Sequence, residues 1–133
     1  MTPTEVALSF VAAINSGDPD QVAILMAPGH TFVDSDGVRH SGRQEMRRIW
    51  ERYFTMVPDY RIEIQETIAR EGKVALFGMA EGTFAENGLL RPKNHWAVPA
   101  AWCVVVEDDR VGLWQLYVNP GPMVEILRRI EAG

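Results

Sequence analysis

Cysteine is nearly absent from this sequence: Cys103 is the only one in 133 residues. No disulfide can form within the chain. Because Cys103 lies in the apolar run 102–106, a buried and inert thiol is expected there. No apolar stretch approaches the ~20 residues that span a bilayer, and no basic-then-apolar leader opens the chain. Neither membrane insertion nor export is expected, and the simplest location is cytoplasmic. A basic excess is lacking too. Thirteen Lys and Arg stand against eighteen Asp and Glu, for a net charge of −5. That balance argues against nucleic acid or an anionic membrane as the main partner. The doublets Arg47-Arg48 and Arg128-Arg129 fall in glutamate-rich helical patterns and read as solvated faces. His30 and His40 combine with no other His, Cys or acid at ligand spacing, so no metal site is expected. Gly78 and Gly82 lie inside a strand pattern, where they mark close backbone approach rather than a phosphate loop. No cofactor is implied.

What the chain does have is a series of helix starts. At 133 residues and 47% apolar content, residues 1–133 read as one domain. Thr2-Pro3-Thr4-Glu5, Asp18-Pro19-Asp20-Gln21 and Ser41-Gly42-Arg43-Gln44 each set a capping side chain three residues before Glu or Gln. Proline at the first helical position strengthens the first two. Val6, Phe10, Val11 and Ile14 then recur at helical spacing up to Gly17, and a short helix follows over 19–26. Met46, Ile49, Trp50, Tyr53, Phe54 and Val57 form the cleanest stripe, closed by Pro58.

Beyond Pro58 the period becomes two. Tyr60, Ile62 and Ile64 alternate with Arg61, Glu63 and Gln65, as in a half-buried strand. Further strands are expected over 73–84, 94–107 and 110–119, separated by Glu71-Gly72, a polar loop with Asn87-Gly88, and Asp108-Asp109. Asn119-Pro120 is placed to cap a terminal helix striped by Met123, Ile126, Leu127 and Ile130. Helices first and an antiparallel meander after them define an α+β domain whose sheet can curl around the helices and leave a cavity.

In TFVDSDGVRHSG (31–42) a short strand runs into two aspartates. Asp36-Gly37 is a hairpin-turn signal. Asp34 sits two residues earlier, where the turn has no evident use for it.

The order of elements, with FVAAINSGDPDQVAILMAPG, TFVDSDGVRHSG, WERYFTMVPDYRIEI, NHWAVPAAWCVVV and GLWQLYVN, resembles the nuclear transport factor 2-like superfamily, in particular its SnoaL-like polyketide cyclase and ketosteroid isomerase-like branch. The resemblance spans essentially the whole chain. It implies a cystatin-like cone: a curved antiparallel sheet wrapped around three N-terminal helices, a blind apolar pocket at one end, a short C-terminal helix, and a homodimer formed through the sheet. The long strands from Asn94 onward, apolar on both faces, support the dimer.

By this resemblance Asp34 matches the proton-shuttling aspartate of ketosteroid isomerases. Two readings stand: a desolvated base at an apolar cavity, or an edge residue hydrogen-bonded to its own hairpin. The isomerases' two oxyanion donors match Phe10 and Ala101, neither of which has a donor. Losing one such donor costs ~10²–10³ in rate, which argues against steroid isomerisation by that route. The acid relay of epoxide hydrolases matches Met79, Glu81 and Leu116, so a single acid survives. The late aspartate expected of the cyclases has no counterpart in 110–119.

The same resemblance turns the face of His95, Pro99, Ala101 and Cys103 into the cone, with Trp114, Leu116 and Val118 lining it from the last strand. His95 is then the acid–base partner of Asp34 by residue type. Trp50, Tyr53 and Trp114 are core aromatics or ligand contacts, the indole of Trp114 being a donor for a carbonyl oxygen. The expected function is small-molecule binding, with cofactor-independent isomerase, cyclase or dehydratase chemistry on an apolar carbonyl-bearing ring compound and Asp34 as general base. The alternative is a non-catalytic ligand-binding or dimeric interaction module.

Overall fold

The computed structural model describes residues 1–133. Local sequence accounts for helix α1 (Pro3–Ser16). Thr2 Oγ1 accepts the Glu5 N–H at 3.1 Å, and the Glu5 carboxylate accepts the Thr2 N–H at 2.8 Å, closing a capping box. Gly17 ends the helix at φ 72°, a left-handed conformation that favours glycine. Asp18 then caps α2 (Pro19–Ile24) by accepting the Asp20 N–H. This helix stops short of the expected 26 because Met26 already begins strand β1 (Met26–Val33).

The third start departs from expectation. Ser41 does not cap α3 (Arg43–Met56); it closes the short strand β2 (Arg39–Ser41), opposite Thr31 of β1, with the two hydroxyls 3.2 Å apart. The cap position falls to Gly42 at φ 101°, where no side chain caps the helix.

Four long strands follow: β3 (Arg61–Arg70), β4 (Lys73–Thr83), β5 (His95–Glu107) and β6 (Arg110–Val118). A 3₁₀ turn at Pro92–Asn94 precedes β5, and α4 (Gly121–Glu131) closes the chain. The sheet order is β2-β1-β6-β5-β4-β3. All neighbours run antiparallel except β1 and β6, which pair in parallel and join the early hairpin to the later meander. Register shifts in β1–β6, β3–β4 and β5–β6 bend the sheet. Gly78 serves that bend: a Cβ there would run into the Glu63 carbonyl oxygen beside the β3 bulge.

Val6, Phe10 and Ile14 of α1 pack onto the inner sheet face made by Leu76, Ala80, Val98, Ala100, Trp102, Val104 and Trp114. Each large side chain so buried contributes roughly 1.5–3 kcal/mol. This register corrects the expected facing of β5. Trp102 lies opposite Leu116 and Val104 opposite Trp114, whereas Ala101 lies opposite Tyr117 and Cys103 opposite Gln115. Directly opposed residues share a face. With Trp114 and Leu116 inside, Ala101 and Cys103 must be outside, together with Pro99 and the half-exposed His95. Met79, opposite Pro99 and Glu63, is also on the outer face.

Candidate functional site

Between α3 and the inner sheet face lies a cavity of ≈ 170 Å³. Met46, Ile49, Trp50 and Tyr53 line it from α3, and Phe32, Trp102, Trp114 and Leu116 from the sheet. Tyr60 closes it from the segment joining α3 to β3. The amphipathic stripe of α3 explains four of these nine contacts. No charged side chain reaches the lining.

Its polar groups all can donate a hydrogen bond: the hydroxyls of Tyr53 and Tyr60 and the indole N–H groups of Trp50, Trp102 and Trp114. The Tyr53 and Tyr60 rings meet edge to face at 5.0 Å, and the protein supplies neither hydroxyl with a hydrogen-bond partner. Burial pushes both phenols well above the ordinary tyrosine pKa, and for Tyr60 the neighbouring Tyr53 adds to it. Both therefore stay neutral O–H donors. The indole N–H of Trp50, a residue 7% exposed, is buried without a partner. The two phenol hydroxyls are thus available to an acceptor oxygen within a largely apolar cavity.

Asp34 follows β1 and is bound into the hairpin it was expected merely to precede. Its Oδ1 accepts the Asp36 N–H at 2.9 Å and the Val38 N–H at 3.0 Å, while its carbonyl accepts the Gly37 N–H. The turn does use Asp34, and Gly37 alone supplies the positive φ, at 83°. The other carboxylate oxygen, Oδ2, lies 3.2 Å from His40 Nε2. Burial pushes this carboxyl up, but the hydrogen bonds from Val38, His40 and Asp36 outweigh it and hold its pKa below the ordinary value.

Of the residues expected at the site, Trp50, Tyr53, Trp114 and Leu116 line the cavity. Phe10 is fully buried against the Trp114 and His30 rings, and Val118 packs against the core; neither belongs to the lining. Met79, Ala101 and Cys103 are removed from it by strand register. His95 does not meet Asp34. Its Nε2 lies 3.4 Å from Glu81 and its Nδ1 2.9 Å from the Thr83 hydroxyl, which also donates to Asp59. Sequence reasoning missed Phe32, Met46, Ile49, Tyr60 and Trp102. The α3 stripe carried the signal for Met46 and Ile49, and the alternation of Tyr60 with Ile62 carried it for Tyr60.

A wider surface groove of ≈ 470 Å³ between α2 and α3 is lined by Asp20, Arg43, Arg47 and Arg110 among others. Two of its arginines are already engaged. Arg43 donates to the Met26 carbonyl, and Arg47 pairs with Asp20 at 2.6 Å.

Residues 7–114 match the SnoaL-like domain family, and the chain belongs to that family. No curated protein sequence is significantly similar to it. Solved structures share the fold at low identity. A proposed SnoaL-like polyketide cyclase from Shewanella denitrificans aligns with TM-score 0.80 at 14% identity, over 96% of this chain and 97% of the other. An LEH-like epoxide hydrolase from M. tuberculosis gives 0.78 at 16%, over 98% and 92%. A hypothetical protein with a ketosteroid isomerase-like fold from Catenulispora acidiphila, in complex with trimethylamine, gives 0.74 at 21%, over 85% and 84%. These similarities show the nuclear transport factor 2-like, ketosteroid isomerase-like fold; fold alone does not assign chemistry.

Proposed function

We propose that this SnoaL-like protein binds a small, neutral, single-ring compound that presents a carbonyl or similar acceptor oxygen to Tyr53 and Tyr60. The observation that carries this reading is the pair of phenol hydroxyls without a protein partner on a cavity lined by apolar and aromatic side chains. Size narrows the class. A dry cavity of about 150 Å³ is enough to hold benzene, so ≈ 170 Å³ suits one ring with a small substituent and not a steroid. The uncharged lining disfavours a carboxylate, whose desolvation nothing there would offset.

Acid–base chemistry without a cofactor is the catalytic extension of this reading. Isomerisation, aldol-type cyclisation and dehydration each require a proton acceptor near a polarised carbonyl, and the Asp34–His40 pair of the hairpin supports that extension. A non-catalytic ligand-binding role uses the same cavity without that step. The proposal also includes a second copy of the chain on the outer sheet face, supported by the apolar residues that register places there.

The test is ligand titration followed by tryptophan fluorescence and amide NMR. Acetophenone and cyclohexenone should perturb the signals of Trp50 and Trp114, while benzoate should not. Replacing both phenols (Tyr53→Phe with Tyr60→Phe) should weaken acetophenone binding by roughly tenfold or more, at ~1 kcal/mol for each lost hydrogen bond. If neutral ring ketones leave the cavity signals unmoved, the reading fails.

A further inference from the structure

The cavity contains donors but no proton acceptor; the nearest such chemistry is in the β1–β2 hairpin. Phe32 is the cross-strand partner of His40 on one side and the parallel neighbour of Trp114 on the other. Residues paired in this way project from the same sheet face, so His40 shares the face on which the cavity lies. Its ring stacks on Phe32, a lining residue, with centroids 5.8 Å apart and planes at 27°. Asp34, two residues beyond Phe32, lies on that face as well.

From this juxtaposition we infer that His40 is the proton-transfer group at the Phe32 side of the cavity, with Asp34 as its positioning residue. The inference rests on the proposed ligand reading and departs from the expectation that Asp34 itself is the base. Asp34 has little freedom for that role. One oxygen is held by two backbone N–H groups, and the other faces His40.

Beside a carboxylate acceptor, the His40 nitrogen at 3.2 Å is the one that carries hydrogen. In the neutral ring Nδ1 is then the bare nitrogen, available as acceptor. The side chain is 33% exposed, so His40 is not sealed off from a ligand extending past Phe32. Glu45, in the first turn of α3, is a further acidic group whose charge interacts with His40.

Proton transfer then balances simply. A ligand O–H or activated C–H bond breaks, an N–H bond forms at Nδ1, and the imidazolium is neutralised by Asp34. The negative charge left on the ligand delocalises toward the oxygen held by Tyr53 and Tyr60 at the far end.

4-Nitrophenol is a direct probe, because its nitro oxygens match the donors at one end and its acidic hydroxyl faces His40 at the other. At a pH where the free compound is protonated, the bound compound should show phenolate absorbance. His40→Gln should reduce the bound phenolate fraction by roughly tenfold, as for loss of one charge-assisted partner. It should weaken binding of 4-nitroanisole, which has no acidic proton, far less than that of 4-nitrophenol. Asp34→Asn, which keeps an oxygen for the hairpin amides, should lower the phenolate fraction and release the fixed His40 tautomer seen by nitrogen-15 NMR. Bound 4-nitrophenol that stays neutral, or phenolate that persists in His40→Gln, overturns the role of His40 while the cavity reading stands. If neither probe binds, the cavity reading falls and this inference falls with it.

Discussion

His30 shows what a single side chain can contribute without touching the cavity. It is fully buried on β1, its Nδ1 2.7 Å from the Val111 carbonyl and its Nε2 unpartnered. Nδ1 must be the protonated nitrogen, which leaves Nε2 as a bare acceptor. Burial lowers the pKa of this imidazole from 6.5; the hydrogen bond to Val111 opposes that shift, and the charge of Arg43 reinforces it. The sign of the linkage follows. Above pH 6.5 both folded and unfolded His30 are neutral and the contribution is fully present; below it the unfolded chain takes up a proton that the folded one refuses. Stability should therefore fall with pH from about 6.5 downward. Urea denaturation at a series of pH values checks this, and His30→Leu should flatten that part of the profile. Asp34, whose pKa is lowered, acts in a more acidic window. Its contribution is present above the ordinary carboxylate range and is lost as pH falls through its folded value.

At the scale of elements, the β3–β4 pair carries one of the bends of the sheet. The pair slips register between Ile64 and Glu66, and Gly78 faces the slip. Gly78→Ala should cost about 1–3 kcal/mol, since the added methyl meets backbone that has to move. Thermal unfolding measures that loss directly. Gly82 is constrained differently: its Cβ would meet Val57 and the Trp96 ring, side chains that lie near the Tyr60 end of the cavity. A helix cap provides the contrast. Thr2→Ala removes one reciprocal cap on an exposed end of α1 and should cost about 1 kcal/mol.

For the whole molecule, the outer sheet face raises the question of a partner. Phe77, Ala101 and Tyr117 form one cross-strand row, with Met79 opposite Pro99 in a neighbouring row. Phe77 is 41% and Tyr117 54% exposed. A contiguous apolar face of this kind marks an interaction surface more often than free solvent contact. Sedimentation should give a dimer, and Phe77→Glu should give a monomer of unchanged stability within ~0.5 kcal/mol, as for an exposed site. A monomeric parent chain would overturn the dimer.

Caps, stripes and turn residues act within three or four positions along the chain, and they determined the elements and their order from sequence alone. The third helix start misled because Ser41 had a competing use: its hydroxyl meets Thr31 across the hairpin. The candidate site depended on longer connections. Nothing within β5 distinguishes its two apolar faces; the pairing of Trp102 with Leu116 does, and it turns Ala101 and Cys103 outward. Tyr60 becomes a donor in the cavity only because the chain leaving α3 passes beneath Trp50 and Tyr53. Asp34 and His40 are six residues apart and share no sequence period; the turn at Gly37 brings their side chains to 3.2 Å. Spacing along one chain decides which segments are helix or strand. Which side chains meet is decided between segments, where register and turn geometry set the distances.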